Sequence, residues 1–147
     1  LKENLLPMEQ SGQLKFMGLP PAPQEARPTS AKGTKFVETS ELGFGILFVD
    51  GHTDKQMLPY IDYQGKKLVY VADLLPTVGH IPLPYVMGFD TRPLLTLTEK
   101  SAFLHDAAEN GYYLFFEHDA HHEIATVKKT EKGVRLDKTF RFNDVFN

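Results

Sequence analysis

Three residues able to hold a metal ion each follow an apolar run in this 147-residue sequence. Ile46–Val49 leads to His52, Leu68–Ala72 to Asp73, and Tyr112–Phe116 to His118. Short runs of β-branched and aromatic residues are expected to form buried strands. If those strands lie side by side, the three polar groups meet at one sheet edge, where rigid elements hold them and loops shape a pocket. Taken singly, each has a plainer reading: His52 and His118 as loop residues, Asp73 as the cap of the following turn. A carboxylate at the end of a core strand is nevertheless costly without a partner. The partner expected for Asp73 is a metal ion.

The sequence has no cysteine, so disulfides, thiolate metal sites and cysteine nucleophiles are excluded. A metal must therefore use His, Asp or Glu, a donor set that suits zinc, iron or manganese. Of the other histidines, His121 and His122 read as loop residues, because neighbours on an extended chain point opposite ways. His80 belongs to a proline-rich loop and His105 to the water-facing side of a helix. Competing chemistries lack their motifs: there is no Gly-x-Ser-x-Gly elbow, no glycine-rich phosphate loop and no GxGxxG. The mixed-sign segment Lys128–Lys132 sits at an expected turn.

The net charge of −3 gives no electrostatic reason to expect nucleic acid, whose binders carry a basic patch. No apolar run reaches the roughly 18–20 residues that span a bilayer, so no membrane partner is expected. No signal peptide is visible, which points to the cytoplasm. The chain opens on Leu1, which reads as a start inside a helix, and a preceding portion is expected.

The elements that must position these groups follow from pattern. Leu1–Gly12 reads as a helix stopped by Gly12, with Pro7 at its first turn or at a kink. Leu14–Met17 is a candidate strand, and residues 18–33, with four prolines, read as a loop or linker. Further strands are expected at Thr34–Glu38, Ile46–Val49 and Met57–Tyr63, with Gln64-Gly65 turning tightly into Leu68–Ala72. A long loop, Leu74–Pro93, follows, with a short helix at Tyr85–Phe89. Thr96-Leu-Thr-Glu99 has capping-box spacing, with Thr98 as an alternative N-cap, and opens a helix running to Asn110, with Gly111 as its left-handed cap. Phe103, Leu104, Ala107 and Ala108 form the buried stripe of that helix, and Lys100, His105, Asp106 and Glu109 are expected to face water. Tyr112–Phe116 is a strand, and Glu123–Phe142 alternates as an edge hairpin around Glu131-Lys132-Gly133.

Gly51-His52-Thr53, Ala72-Asp73 and Glu117-His118-Asp119, in this order and spacing, resemble the metallo-β-lactamase superfamily, most of all its lactonase and methyl-parathion-hydrolase-like branch. The likeness covers roughly residues 36–140. It implies an α+β fold, part of a four-layer αββα sandwich with a mixed sheet and helices on its outer face. It implies His52, Asp73 and His118 as metal ligands, Asp73 bridging two ions, and Thr53, Glu117 and Asp119 as groups that orient the imidazoles. The family's His-x-His-x-Asp-His is absent, and Asp54-Lys55 stands where relatives have Pro-Gly-His. Residues 1–147 are accordingly expected to be the C-terminal portion of one domain, whose N-terminal half is a missing partner.

The activity so implied is a metal-dependent hydrolase. It would use a metal-activated hydroxide on an ester, lactone, amide or phosphoester of a small-molecule substrate. Asp73 would be the catalytic residue and zinc, two ions per complete site, the cofactor. The chain alone is expected to bind zinc weakly and to be inactive. Apolar residues of the long loop, Ile81, Leu83, Tyr85, Val86, Met87 and Phe89, would favour a partly hydrophobic substrate. A homo-oligomer stays open, as does the alternative class, a binding or scaffold module that keeps the fold without the metal.

Overall fold

The computed structural model describes residues 2–14, 36–39 and 43–146. The chain divides into two compact units, Leu1–Ser30 and Ala31–Asn147. In the first, α1 spans Lys2–Gln10 with Pro7 inside it. The helix unwinds as expected at Gly12, whose φ is 71°, and Gln13 and Leu14 close back on the Met8 carbonyl. The expected linker at 18–33, Thr34 and Lys35 of the expected Thr34–Glu38 strand, all but Gly43 of a turn expected at Ser40–Gly43, and all but Leu14 of the expected Leu14–Met17 strand lie outside the described residues.

The second unit is built on one mixed sheet of seven strands in sequence order. They are β1 (Phe36–Thr39), β2 (Phe44–Val49), β3 (Gln56–Tyr63), β4 (Lys66–Tyr70), β5 (Tyr113–Phe115), β6 (Ile124–Thr130) and β7 (Gly133–Phe140). Neighbouring strands are antiparallel except β4 and β5, which run parallel. A parallel pair needs a long crossover, and here it carries the proline-rich loop and α2 (Pro93–Asn110). The β3–β4 hairpin turns on Gln64 and Gly65, both at positive φ (52° and 72°). That is the pairing a two-residue primed turn demands, and it explains a glycine at the second place.

Side-chain alternation sorts the core onto the two faces. Val69, Val71, Leu114 and Ala125 pack with Phe103, Leu104 and Ala107 of α2. Leu68 and Ile124 pack with Val145 and Phe146, at the end of the short helix α3 (Phe142–Val145). Strand β4 is therefore covered on both sides, as its unbroken apolar run requires.

Helix α2 ends as expected, with Gly111 left-handed at φ 66°. Its start differs from the capping-box reading. Pro93 opens the helix, so Thr96 lies one turn inside it, buried at 1% exposure. Proline suits a first turn, where its missing N–H costs nothing. Lys100 is also corrected: it does not face water but is fully buried. No helix forms at Tyr85–Phe89, and single 3-10 turns occur instead at Ala72–Leu74 and Val78–His80. Among the described residues, no helix is long and apolar enough to cross a membrane.

Candidate metal centre

The sheet register places the three ligand candidates together. Tyr70 is paired with Phe115 across the parallel strands, so Asp73 and His118, each three residues further on, leave the same sheet edge side by side. Val49 pairs with Gln56, which puts the His52 loop at that edge too. The distances follow: Asp73 Oδ1 lies 3.2 Å from His118 Nε2, and Asp73 Oδ2 lies 3.5 Å from His52 Nε2. Gln56 Nε2 also reaches Asp73 Oδ2, at 3.5 Å.

Asp73 does not sit on the strand itself. It belongs to the 3-10 turn after β4, and Ala72 before it takes φ 42°. A side chain at that φ is strained, and such outliers gather where a chain must present a functional group.

His52 is held from several sides. Its Nδ1 donates to Asp90 Oδ1 at 2.8 Å, and the Asp90 side chain is only 1% exposed. An ionised carboxylate can only accept, so Nδ1 carries the hydrogen of this bond, and Nε2 is the ring atom that faces Asp73. Its backbone is fixed by α2. Glu99 accepts the amides of Asp50 (2.8 Å) and Gly51 (2.9 Å) through its two oxygens. Arg92 N–H donates to the Gly51 carbonyl and Thr91 N–H to that of His52, while the Arg92 guanidinium pairs with Asp54. Burial raises the Glu99 carboxyl above its ordinary value, and the two amides pull it back. Gly51 packs so closely on α2 that a Cβ there would stand 2.3 Å from Thr96 Oγ1 and 2.6 Å from its Cα.

The loop carrying Asp90 is tied down by Lys100. Its Nζ donates to the carbonyls of Pro82 (3.0 Å), Leu83 (3.2 Å) and Tyr85 (2.7 Å). Burial pushes this ammonium down to about 8, and Asp90 opposes the shift. Phe89, 74% exposed, meets the His52 ring edge-on at 6.0 Å.

The groups expected to orient the imidazoles part company. Glu117 does join the site: Asp73, Glu117 and His118 offer donor atoms that all lie within 4.8 Å of one another. Asp119 turns away, accepting from the amides of Val78, His121 and His122 and from His122 Nδ1. Thr53 is exposed. His121 and His122 stay in that loop and His105 on the exposed helix face, as expected. His80 is half-buried, with Nδ1 2.9 Å from Thr77 Oγ1. Asp90, Glu99 and Lys100 were missed by sequence reasoning. Asp90 did carry a signal, as the one carboxylate within the apolar stretch Tyr85–Phe89 and its flank.

The donor set fits a divalent cation. With metal–ligand bonds of about 2.0–2.1 Å in a tetrahedral arrangement, two ligands of one ion stand about 3.3 Å apart. The 3.2 and 3.5 Å separations bracket that spacing. Among the described residues the buried Asp90 Oδ2 has no hydrogen-bond partner, so the carboxylate that steers His52 is itself costly and is held there by its surroundings.

No family model and no curated protein sequence matches this chain. Solved structures do. A probable metal-dependent hydrolase from Staphylococcus aureus is 25% identical with a TM-score of 0.60, over 72% of this chain and 37% of that one. The hydrolase AbOPH, of the beta lactamase superfamily, gives 16% and 0.66 over 96% and 43%. AidC, a dizinc quorum-quenching lactonase, gives 22% and 0.64 over 95% and 42%. This chain thus shares its fold with hydrolases of the β-lactamase superfamily and spans 37–43% of the length of these three. The full four-layer sandwich is not seen in the one sheet described.

Proposed function

We propose that this chain carries part of the active site of a metal-dependent hydrolase of the metallo-β-lactamase type, with His52, Asp73 and His118 as ligands and zinc as the ion. The observation that carries the reading is the Asp73 carboxylate, with one oxygen facing each imidazole at ligand–ligand spacing. The similarity to a metal-dependent hydrolase and to a dizinc lactonase supports it. Iron or manganese suits the same donors.

When bound, a pair of divalent ions supplies Lewis acidity and a water acidic enough to be deprotonated near neutral pH. The residues of this chain do the placing. Asp73 would offer one oxygen to each position, and the strained Ala72 turn aims it. Asp90 holds the Nδ1 hydrogen of His52, so that Nε2 is free to bind and its ring cannot swing. Glu99, Thr91 and Arg92 fix the backbone under that ring. Phe89 and Tyr85, exposed on the adjoining loop, offer an apolar wall to one side of a small ester, lactone, amide or phosphoester.

Three side chains, one of them shared, cannot complete two ion sites. The remaining ligands are assigned to a protein portion preceding Leu1, and this chain alone is expected to be inactive. The reading is tested on the protein with everything its gene encodes before Leu1. Metal analysis should find about two ions per chain, and ester, lactone and phosphoester substrates should be hydrolysed, with Asp73→Asn abolishing turnover. A metal-free, inactive full protein would favour a scaffold module that keeps only the fold.

A further inference from the structure

Glu117 and His118 are consecutive residues, yet both reach Asp73. On an extended strand they would point to opposite faces. Here β5 has ended at Phe115 and the chain bends through both residues, so their side chains converge. His118 Nε2 lies 3.2 Å from Asp73 Oδ1 and 3.9 Å from Glu117 Oε2, and the three donor atoms are mutually within 4.8 Å.

Two carboxylates lie beside the His118 imidazole, with His52 on the other oxygen of Asp73, and among the described residues no lysine or arginine forms an ion pair with Asp73 or Glu117. Like charges this close repel.

We infer that Glu117 is a metal ligand beside Asp73 and His118, giving a three-donor cation site on the His118 side of the pair that this chain holds by itself. The inference rests on the metal reading of Asp73 and adds to it. One imidazole and two carboxylates form a harder donor set than an imidazole-rich one, so the site takes manganese as well as zinc. The His52 side offers a single imidazole and the shared Asp73, and a lone ion prefers the three-donor side. Glu117 Oε2 stands 3.9 Å from Nε2, further than a ligand pair requires, so binding calls for a rotation of its exposed side chain.

Titration calorimetry with zinc chloride and with manganese chloride on the chain tests this, using Glu117→Gln, His52→Ala and His118→Ala. Glutamine keeps the size of Glu117, and thermal melts verify folding. The expected result is one equivalent of metal bound, at least tenfold weaker in Glu117→Gln, and weakened more by that change than by His52→Ala. A smaller loss in Glu117→Gln, or a larger one in His52→Ala, overturns the inference while leaving the His52–Asp73–His118 reading standing. No uptake of either ion by the unsubstituted chain overturns the inference too. The reading itself is then judged by the metal content and turnover of the full protein.

Discussion

Asp90 accepts the Nδ1 hydrogen of His52 at 2.8 Å from a position almost sealed from solvent. This one bond chooses the tautomer of the ring that faces Asp73. Asp90→Asn should remove the choice, because an amide can donate as well as accept. Nitrogen NMR of the imidazole should show His52 leaving the pure Nδ1–H form. In the full protein, activity should fall about 10- to 100-fold, the usual cost of losing a carboxylate behind a ligating histidine. An unchanged tautomer would remove Asp90 from the account.

Glu99 ties the His52 loop to α2 through the Asp50 and Gly51 amides. Glu99→Ala leaves both donors without their acceptor in a part-buried place. Unfolding in urea should reveal a loss of about 1–3 kcal/mol. A change within about 0.5 kcal/mol, as at ordinary surface positions, would mean the loop is held by other contacts.

Ala72 should respond in opposite directions to glycine and to valine. At φ 42°, Ala72→Gly relieves strain at the expense of a buried methyl and should be neutral or gain up to about 1 kcal/mol. Ala72→Val adds β-branching where it fits worst and should lose about 2 kcal/mol or more. Denaturant midpoints of the two variants decide, and equal losses would contradict the strained-turn argument.

Lys100→Met should strip the donor from three carbonyls and cost about 2–4 kcal/mol. The pH dependence has a definite sign. The folded value of about 8 lies below the ordinary 10.5, so the folded chain releases this proton before the unfolded one does. The contribution of Lys100 to stability is therefore flat below about pH 8 and rises between about 8 and 10.5. Comparing both proteins across that range would show their stability difference widening with pH. A difference that shrinks would contradict the burial of a costly ammonium.

Much of the site was legible because strand ends are legible. Apolar runs marked β2, β4 and β5, and whatever follows such a run must leave the same sheet edge when strand directions agree. What stayed hidden depends on contacts distant in sequence. Glu99 has the spacing of a capping box, and nothing local shows that its carboxylate instead serves amides 48 and 49 residues away. Lys100 reads as solvated because lysine usually is. Its burial follows from a proline-rich loop that folds over it and offers carbonyls with no strand to pair with. Glu117 was read as orienting His118, and only the bend after β5 brings both toward Asp73.

The central claim is that Asp73 holds a divalent ion together with a histidine. Crystals grown with zinc and measured at the zinc absorption edge test it most directly. The account predicts an anomalous peak about 2.0–2.2 Å from an Asp73 oxygen and from His118 Nε2. A map with no peak at Asp73, or with zinc bound only elsewhere on the chain, would contradict it.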